Sequence, residues 1–477
     1  MQTTLSDLYE ICRSNGENLS DHSLEQALGF LLNYGSWSSV GRASISASLI
    51  DDLLSEIDRR ISRQVESILQ SERFQALESA WRALSFLVER TDFRENIQID
   101  VVNLSDEDLL DDFDDFIDIT RSGFYKMAYS REYGQYGGQP YAALICNYRL
   151  GPSGRDLRLI QKLASVAAMA HAPAIIGASS TFFGVEDYKD FPELRDLHAI
   201  LQEPKYLAWD RFRETEDARY VGLVLPRFFL RAPYGEQSNQ VSRFQYYAGE
   251  GPDRSKTLWG NAVFALATRL ADSFAEHRWC AHIVGAEGGG VVKGLSKQSV
   301  QKIAGVQRQM PVEVLISEKR EYELSQLGFI GLTLRKNTND AAFFSAPSPQ
   351  KTKLFGASEE GRLAEFNFRL GTYLPYMFII CRLSHYIKMI QREHVGEWKT
   401  RVDLETELNQ WLGEYVSDMN NPSEDVRSRR PLRHASINVQ DVGDNASWFR
   451  VSLNVTPHLK YMGASFKLSL TGRLETT

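Results

Sequence analysis

Apolar residues recur at three- and four-residue spacing along the first quarter of the chain. Ile50, Leu53, Leu54, Ile57, Ile61, Val65, Ile68 and Leu69 share one helical face, and Asp58, Arg59, Arg60 and Glu66 fill other positions. The pattern resumes at Phe74, Leu77, Trp81, Leu84 and Leu87. It predicts one long helical arm, or two helices joined by a bend near Ser71. An amphipathic stretch of roughly 40 residues suits a partner helix as well as its own domain. Burial against its own core alone is the equal alternative. Ahead of the arm, Ser6-Asp7-Leu8 and Ser20-Asp21 open two short helices. The Ser- and Gly-rich stretch 34–46 then reads as a hinge or a plain linker.

Farther on, the period alternates between that of strands and that of helices. Asn96–Leu104 alternates apolar and polar and ends at a helix-capping Ser105-Asp106. Strands are predicted at Tyr141–Tyr148, Ala174–Gly177, Arg219–Leu225, Val312–Ile316, Phe329–Leu334 and Ala341–Phe344. Helices are predicted at Asp156–His171, Leu258–Arg278, Ser317–Leu327, Arg362–Arg392 and Thr400–Met419. This rhythm implies a mixed α/β chain whose sheets are covered by helices. In the last of these helices Leu404, Leu408, Trp411, Leu412 and Tyr415 gather on one side, and Asp403, Glu407, Glu414 and Asp418 on an adjacent strip.

The chain ends in three alternating strands, Ala435–Val442, Trp448–Thr456 and Ala464–Leu470, the first two joined by a hairpin turn at Gly443-Asp444-Asn445. Phe449, Val451, Leu453 and Val455 share a face, as do Phe466, Leu468 and Leu470. A small antiparallel sheet of this kind has edges that seek partners.

Composition narrows the class. The 477 residues are 43% hydrophobic and 24% charged, enough for two or three packed cores. No apolar run reaches the roughly 20 residues of a membrane span, and Met1–Glu10 lacks the pattern of a secretory signal. Four scattered cysteines, Cys12, Cys146, Cys280 and Cys381, form no Cys-x-x-Cys pair and read as reduced, buried thiols. The net charge of −8 and the lack of a basic patch argue against nucleic acid and suit a basic protein partner.

No constellation meets the requirements of an active site. The run Gly285–Gly290 is followed by Val291 and Val292 where a phosphate loop needs Lys and Ser or Thr; a tight backbone approach explains its glycines. His277, Cys280 and His282 share no helix face, and His385 and His394 are nine apart rather than four. His171, between an Ala-rich helix and Pro173, reads as buried or capping. Ser153 sits in a turn, not in a nucleophile elbow. Glu214, Glu216 and Asp217 stand among Arg211, Arg213 and Arg219 as a salt-bridged network. No catalytic, cofactor or metal site is expected.

Several strings, in order, resemble one family: Phe74–Leu84, Glu132–Tyr148, Ala170–Ser179, Glu214–Gly235, Trp259–Gly290, Pro311–Phe344 and Leu374–Tyr386. Together they are similar to the TssC/VipB family, the large subunits of type VI secretion contractile sheaths. The resemblance spans about residues 50 to 470. It implies a cytoplasmic, bacterial, non-enzymatic subunit that pairs with the small subunit TssB/VipA. Such heterodimers stack with neighbouring sheath heterodimers on a baseplate, helically, around the Hcp tube. The sheath contracts to drive the tube, and the ATPase ClpV dismantles the contracted form. The rival reading is the single-polypeptide sheath of a related contractile injection machine or phage-like tail.

The resemblance gives the residues expected roles. Segment 1–46 holds N-terminal helices and a linker, 47–92 the arm, 93–358 the central α/β region, and 359–477 the C-terminal helices and sheet. Ile50, Leu53, Leu54, Ile57, Ile61 and Val65 would face the small subunit. Strands carrying Ile437, Val439, Phe449, Val451, Leu453, Val455, Phe466 and Leu468 would be exchanged between subunits. Asp403, Glu407, Glu414 and Asp418 would face the tube, a solvated strip being the equal alternative.

Overall fold

The computed structural model describes residues 47–475 except 136, 232–233, 235–245, 247–256, 286–288, 296–297, 304–305, 336–339, 357, 394–399, 418, 420–422, 424–425, 427–428, 442–447 and 459–467. The expected N-terminal helices, the 34–46 hinge, Asp418, Phe466 and the Gly443–Asn445 turn therefore lie outside the described residues. By compactness the chain forms two units, Met1–Leu77 with Ala232–Thr257, and Glu78–Arg231 with Leu258–Thr477.

In the first unit, α1 (Ala47–Leu69) ends just before Ser71, and α2 (Glu72–Glu89) begins there. The predicted bend is a break of two residues, at which Ser71 Oγ accepts from Phe74 N–H.

The second unit is built on a six-stranded sheet in the order β1 (Leu144–Leu150), β2 (Ala174–Ala178), β3 (Val221–Leu225), β9 (Phe329–Leu334), β10 (Ala341–Phe343), β6 (Val291–Val292). The first four strands run parallel, and β9, β10 and β6 are antiparallel. β2 and β3 are buried along their whole length, as expected of strands covered on both faces. Ile176, Leu223, Leu225 and Phe329 face a core with α3 (Asp106–Asp114), α4 (Gly154–Ala170), α5 (Leu207–Arg213) and α7 (Glu318–Leu327). Ile175, Val224, Ile330 and Leu332 face the opposite core with α2, α6 (Ala262–His277) and α9 (Leu374–Glu393).

Two separate two-stranded antiparallel sheets are formed by β4 (Phe228–Arg231) with β5 (Leu258–Gly260) and β7 (Gln298–Ile303) with β8 (Val306–Met310). At the end of the chain β11 (Leu432–Asp441), β12 (Trp448–Pro457) and β13 (Leu468–Glu475) make an antiparallel meander. α9 is buried nearly all round over its first two turns. Leu374 and Phe378 enter the main-sheet core, while Tyr376, Ile379, Ile380, Leu383 and Ile387 enter the core under the meander. Two cores therefore share one helix.

Several expectations fail for identifiable reasons. Asn96–Leu104 pairs in no ladder, and Asn96 itself is left-handed (φ 58°); Val101 and Val102 are 65% and 51% exposed. Tyr141 and Tyr148 donate to Asp100 and the Leu104 carbonyl, and Ile99 and Leu104 pack against the two cores. Alternation without a partner strand does not make a strand. Leu258–Gly260 is strand, because Asn261 caps α6 only after it. Val312–Ile316 makes one isolated bridge to Phe228. The long helix expected over 362–392 is two, α8 (Glu359–Leu370) and α9; Leu374 N–H donates to the Ala346 carbonyl, and Pro375 has no N–H to continue the ladder. α10 (Arg401–Gly413) stops six residues short of Met419, since Ser417 N–H and the Tyr415 carbonyl bond to Leu432 of β11 instead. Ser153, read as a turn residue, caps α4 by accepting from Asp156 N–H.

Candidate functional site

The candidate surfaces are an apolar helix face, an acidic strip and a sheet with two edges. Along α1, Leu54, Ile61 and Ile68 lie seven residues apart and are 54%, 42% and 51% exposed. Ile57 and Val65, between them on the same face, are half-buried. Ile50 and Leu53 belong to the helix, but their side chains lie outside the described residues. Elsewhere on α1, Glu56 pairs with Arg59 and Arg60, and those guanidinium hydrogen bonds hold its carboxyl below the usual range. α2 buries Ala83 and Leu87 and exposes Leu77, Trp81 and Val88. It is anchored through Glu78, which pairs at 2.8 Å with Arg231 of β4 and at 2.7 Å with Arg82. Burial alone would raise the Glu78 carboxyl, but the hydrogen bonds from Arg231 and Arg82 win and lower it.

On α10, Leu408 and Leu412 are buried, with Leu404, Trp411 and Tyr415 packed around them, as the sequence predicts. The acidic residues are less uniform. Asp403 is exposed but committed to a capping box with Thr400, its Oδ2 accepting from the Thr400 hydroxyl at 2.6 Å. Glu407 is half-buried, and Glu414, exposed, is already the residue that ends the helix.

In the meander Ile437, Val439, Val451, Leu453 and Val455 all point into the chain's own core beneath α9 and α10. The side chains of Phe449 and Leu468 lie outside the described residues, although both belong to strands. β12 is paired on both sides, so β11 and β13 are the edges. The β11 edge is occupied by side chains that sequence reading missed: Arg401, Glu405 and Asn409 of α10 reach the main chain of Ile437 and Val439. The available signal was a polar row at i, i+4 and i+8 beside the apolar stripe.

The buried titratable groups are shifted chiefly by burial. His385 Nε2 donates to the Ala170 carbonyl at 3.1 Å, and burial is the main cause that pushes its pKa down to about 4. Burial likewise lowers His171 well below the ordinary range; His171 is the left-handed cap of α4 (φ 51°), in line with the capping reading. Lys388 lies over the rings of Tyr129 and Tyr133, and burial pushes it down to about 8. Burial pushes the Cys280 thiol up to about 11. Among the described residues no group of three His, Cys, Asp or Glu is placed to hold a metal ion, and no helix is long and apolar enough to cross a membrane.

Two amides of the Gly-rich segment are bonded to main-chain carbonyls. Gly285 N–H donates to the Phe343 carbonyl and Gly290 N–H to the Gly285 carbonyl. A Cβ at Gly290 would sit 2.3 Å from the Phe343 carbonyl oxygen. Close backbone approach is the reason for glycine there. Of the network expected near 214, Glu216 pairs with Arg219; Glu216 and Glu214 also pair with Lys353 and Lys351, while Arg213 donates to the Pro349 carbonyl and Asp217 accepts from the Ser165 hydroxyl.

Comparison with known proteins places these surfaces in a family. Sequence models of the EvpB/VC_A0108 (VipB) family match twice, the tail sheath N-terminal domain over residues 51–350 and the tail sheath gpW/gp25-like domain over 363–474. The type VI secretion system sheath protein TssC1 of Pseudomonas aeruginosa is 34% identical over 461 residues, covering 96% of this chain and 89% of that one. Among solved structures, the sheath tail protein of Listeria innocua aligns with a TM-score of 0.35 at 8% identity, over 68% of this chain and 56% of its own length. A chain of the anti-feeding prophage baseplate aligns at 0.30 and 9%, over 67% and 63%. Thus this chain spans little more than half the length of those two structures. The chain is a sheath protein of contractile tails. Within that class it belongs to the VipB (TssC) family, the large sheath subunits of type VI secretion systems.

Proposed function

We propose that the chain pairs with a small sheath subunit through α1 and polymerises as that heterodimer into a helical sheath. The observation that carries this is the row Leu54, Ile61 and Ile68. Seven-residue spacing is the seam of a helix pair, and a water-exposed apolar seam about 21 Å long marks an interaction surface. The partner is the TssB/VipA-like subunit that the family resemblance implies.

The polymer encloses the Hcp tube, grows from a baseplate and contracts to propel the tube; the ClpV ATPase acts on the contracted form. Strand addition at the C-terminal meander links neighbouring heterodimers. Heterologous links of this kind build open helices rather than closed rings. The 1–46, 47–92, 93–358 and 359–477 segments act as linker, arm, central region and C-terminal region. Glu407 and Glu414, with Asp403 and Asp418 beside them, meet the tube.

The test is co-purification. Replacing Leu54, Ile61 and Ile68 together by Glu should weaken pairing with the small subunit by about 100-fold, roughly 3 kcal/mol, with helix content by circular dichroism unchanged. Full-strength pairing by the triple variant would end this assignment.

A further inference from the structure

We propose that Asn409, Glu405 and Arg401 form an edge guard that shuts β11 against strand addition. The Asn409 amide does for Ile437 what a neighbouring strand would do. Its Nδ2 donates to the Ile437 carbonyl at 2.8 Å, and its Oδ1 accepts from Ile437 N–H at 2.9 Å. Such a double exchange is the hydrogen-bonded pair of an antiparallel ladder. The amide is held in that sense because Nδ2 also donates to the Glu405 carbonyl at 2.7 Å, one turn back.

The next outward residue is treated the same way by two side chains. Val439 N–H donates to Glu405 Oε2 at 3.3 Å, and the Val439 carbonyl accepts from Arg401 at 3.1 Å. At the other end, Leu432 is bonded through its carbonyl to Ser417 N–H. Thus α10 runs antiparallel to β11 and covers its rim with polar groups at i, i+4 and i+8.

The guard answers a hazard. β11 has ten residues, and a long edge strand is a template for a second copy of itself. Inward-facing Ser436 and Asn438 are paired with Asn454 and Ser452 of β12, so only the outward groups need protection. If neighbours are linked by added strands, as under the proposed function, the guard directs that addition to β13.

The test uses the full-length chain with Asn409→Ala, Asn409→Asp and Glu405→Ala/Asn409→Ala. Hydrogen exchange is read at single amides from 432 to 441. Asn409→Ala should speed exchange at Ile437 about ten-fold or more, the worth of one lost hydrogen bond of about 1.4 kcal/mol, while Ser436 and Asn438 stay slow. Asn409→Asp, which keeps an acceptor, should retain most protection at Ile437 N–H and settles the matter if the alanine variant fails to fold. The double variant should self-associate by light scattering, β11 against β11. Unchanged exchange at Ile437 overturns the guard outright. Fast exchange at Ile437 and Val439 without any gain in self-association overturns its protective role. Neither readout depends on pairing with the small subunit, so a failure of that reading is separable.

Discussion

His385 shows how a single buried residue sets a pH limit on this fold. Its pKa falls from an ordinary 6.5 to about 4 because burial penalises the imidazolium; Arg382 and Lys388 add to this, and the Ala170 carbonyl only partly opposes it. In the unfolded chain the ring takes its proton near 6.5, but the native ring does not until about 4. Stability therefore drops as pH falls through that window, and buried His171 contributes with the same sign. The urea midpoint should be lower at about pH 5 than at about pH 7.5, and His385→Gln should narrow the difference. A second site is the Arg227–Glu313 pair, joined at 2.8 Å with Glu313 2% exposed. Arg227→Ala strands a buried carboxylate and should cost about 3 kcal/mol in chemical denaturation. Neither site was legible beforehand. Sequence marked His171 as buried or capping, but nothing near Arg227 announced a partner 86 positions away.

Elements carry their own signals more faithfully. The sequence placed a helix start at Thr400 but read Asp403 as part of the acidic strip; in the structure the two form a capping box, a hydroxyl and a carboxylate three residues apart satisfying two orphan amides. Thr400→Ala should cost about 1 kcal/mol of stability in denaturant unfolding and should loosen the helix that holds the edge guard. Of the two arrangements the sequence left open, one arm or two helices joined near Ser71, the structure takes the second, and the apolar stripe of α1 is as read. What the stripe faces could not be read from periodicity. A helix buried against its own core and one that pairs with another chain have the same period; the exposure of Leu54, Ile61 and Ile68 is what supports the proposed pairing. The Asn96–Leu104 and Thr400–Met419 errors share a cause. A ladder needs a second strand, and a helix ends where its backbone finds better partners, here Leu432.

At the scale of the whole molecule, the proposed tube contact would rest on surface charge. Exposed ion pairs are each worth about 1 kcal/mol or less and are screened by salt. Contacts through Glu407 and Glu414 should therefore weaken steadily with ionic strength. Replacing both by Lys should impair co-assembly with the tube, seen by negative-stain microscopy, and leave the heterodimer intact on gel filtration. Assembly as robust as wild type would remove the strip from the tube interface.

By itself the sequence determined the family, the mixed α/β class, the order of most elements and the apolar stripes, because these follow from local spacing and from strings of residues. Only the tertiary structure decided that Val451, Leu453 and Val455 belong to the chain's own core, that α9 serves two cores, and that Asn409 closes β11. Those facts depend on groups far apart in the chain meeting in space, where a hydrogen bond or a buried methyl has no counterpart in local periodicity.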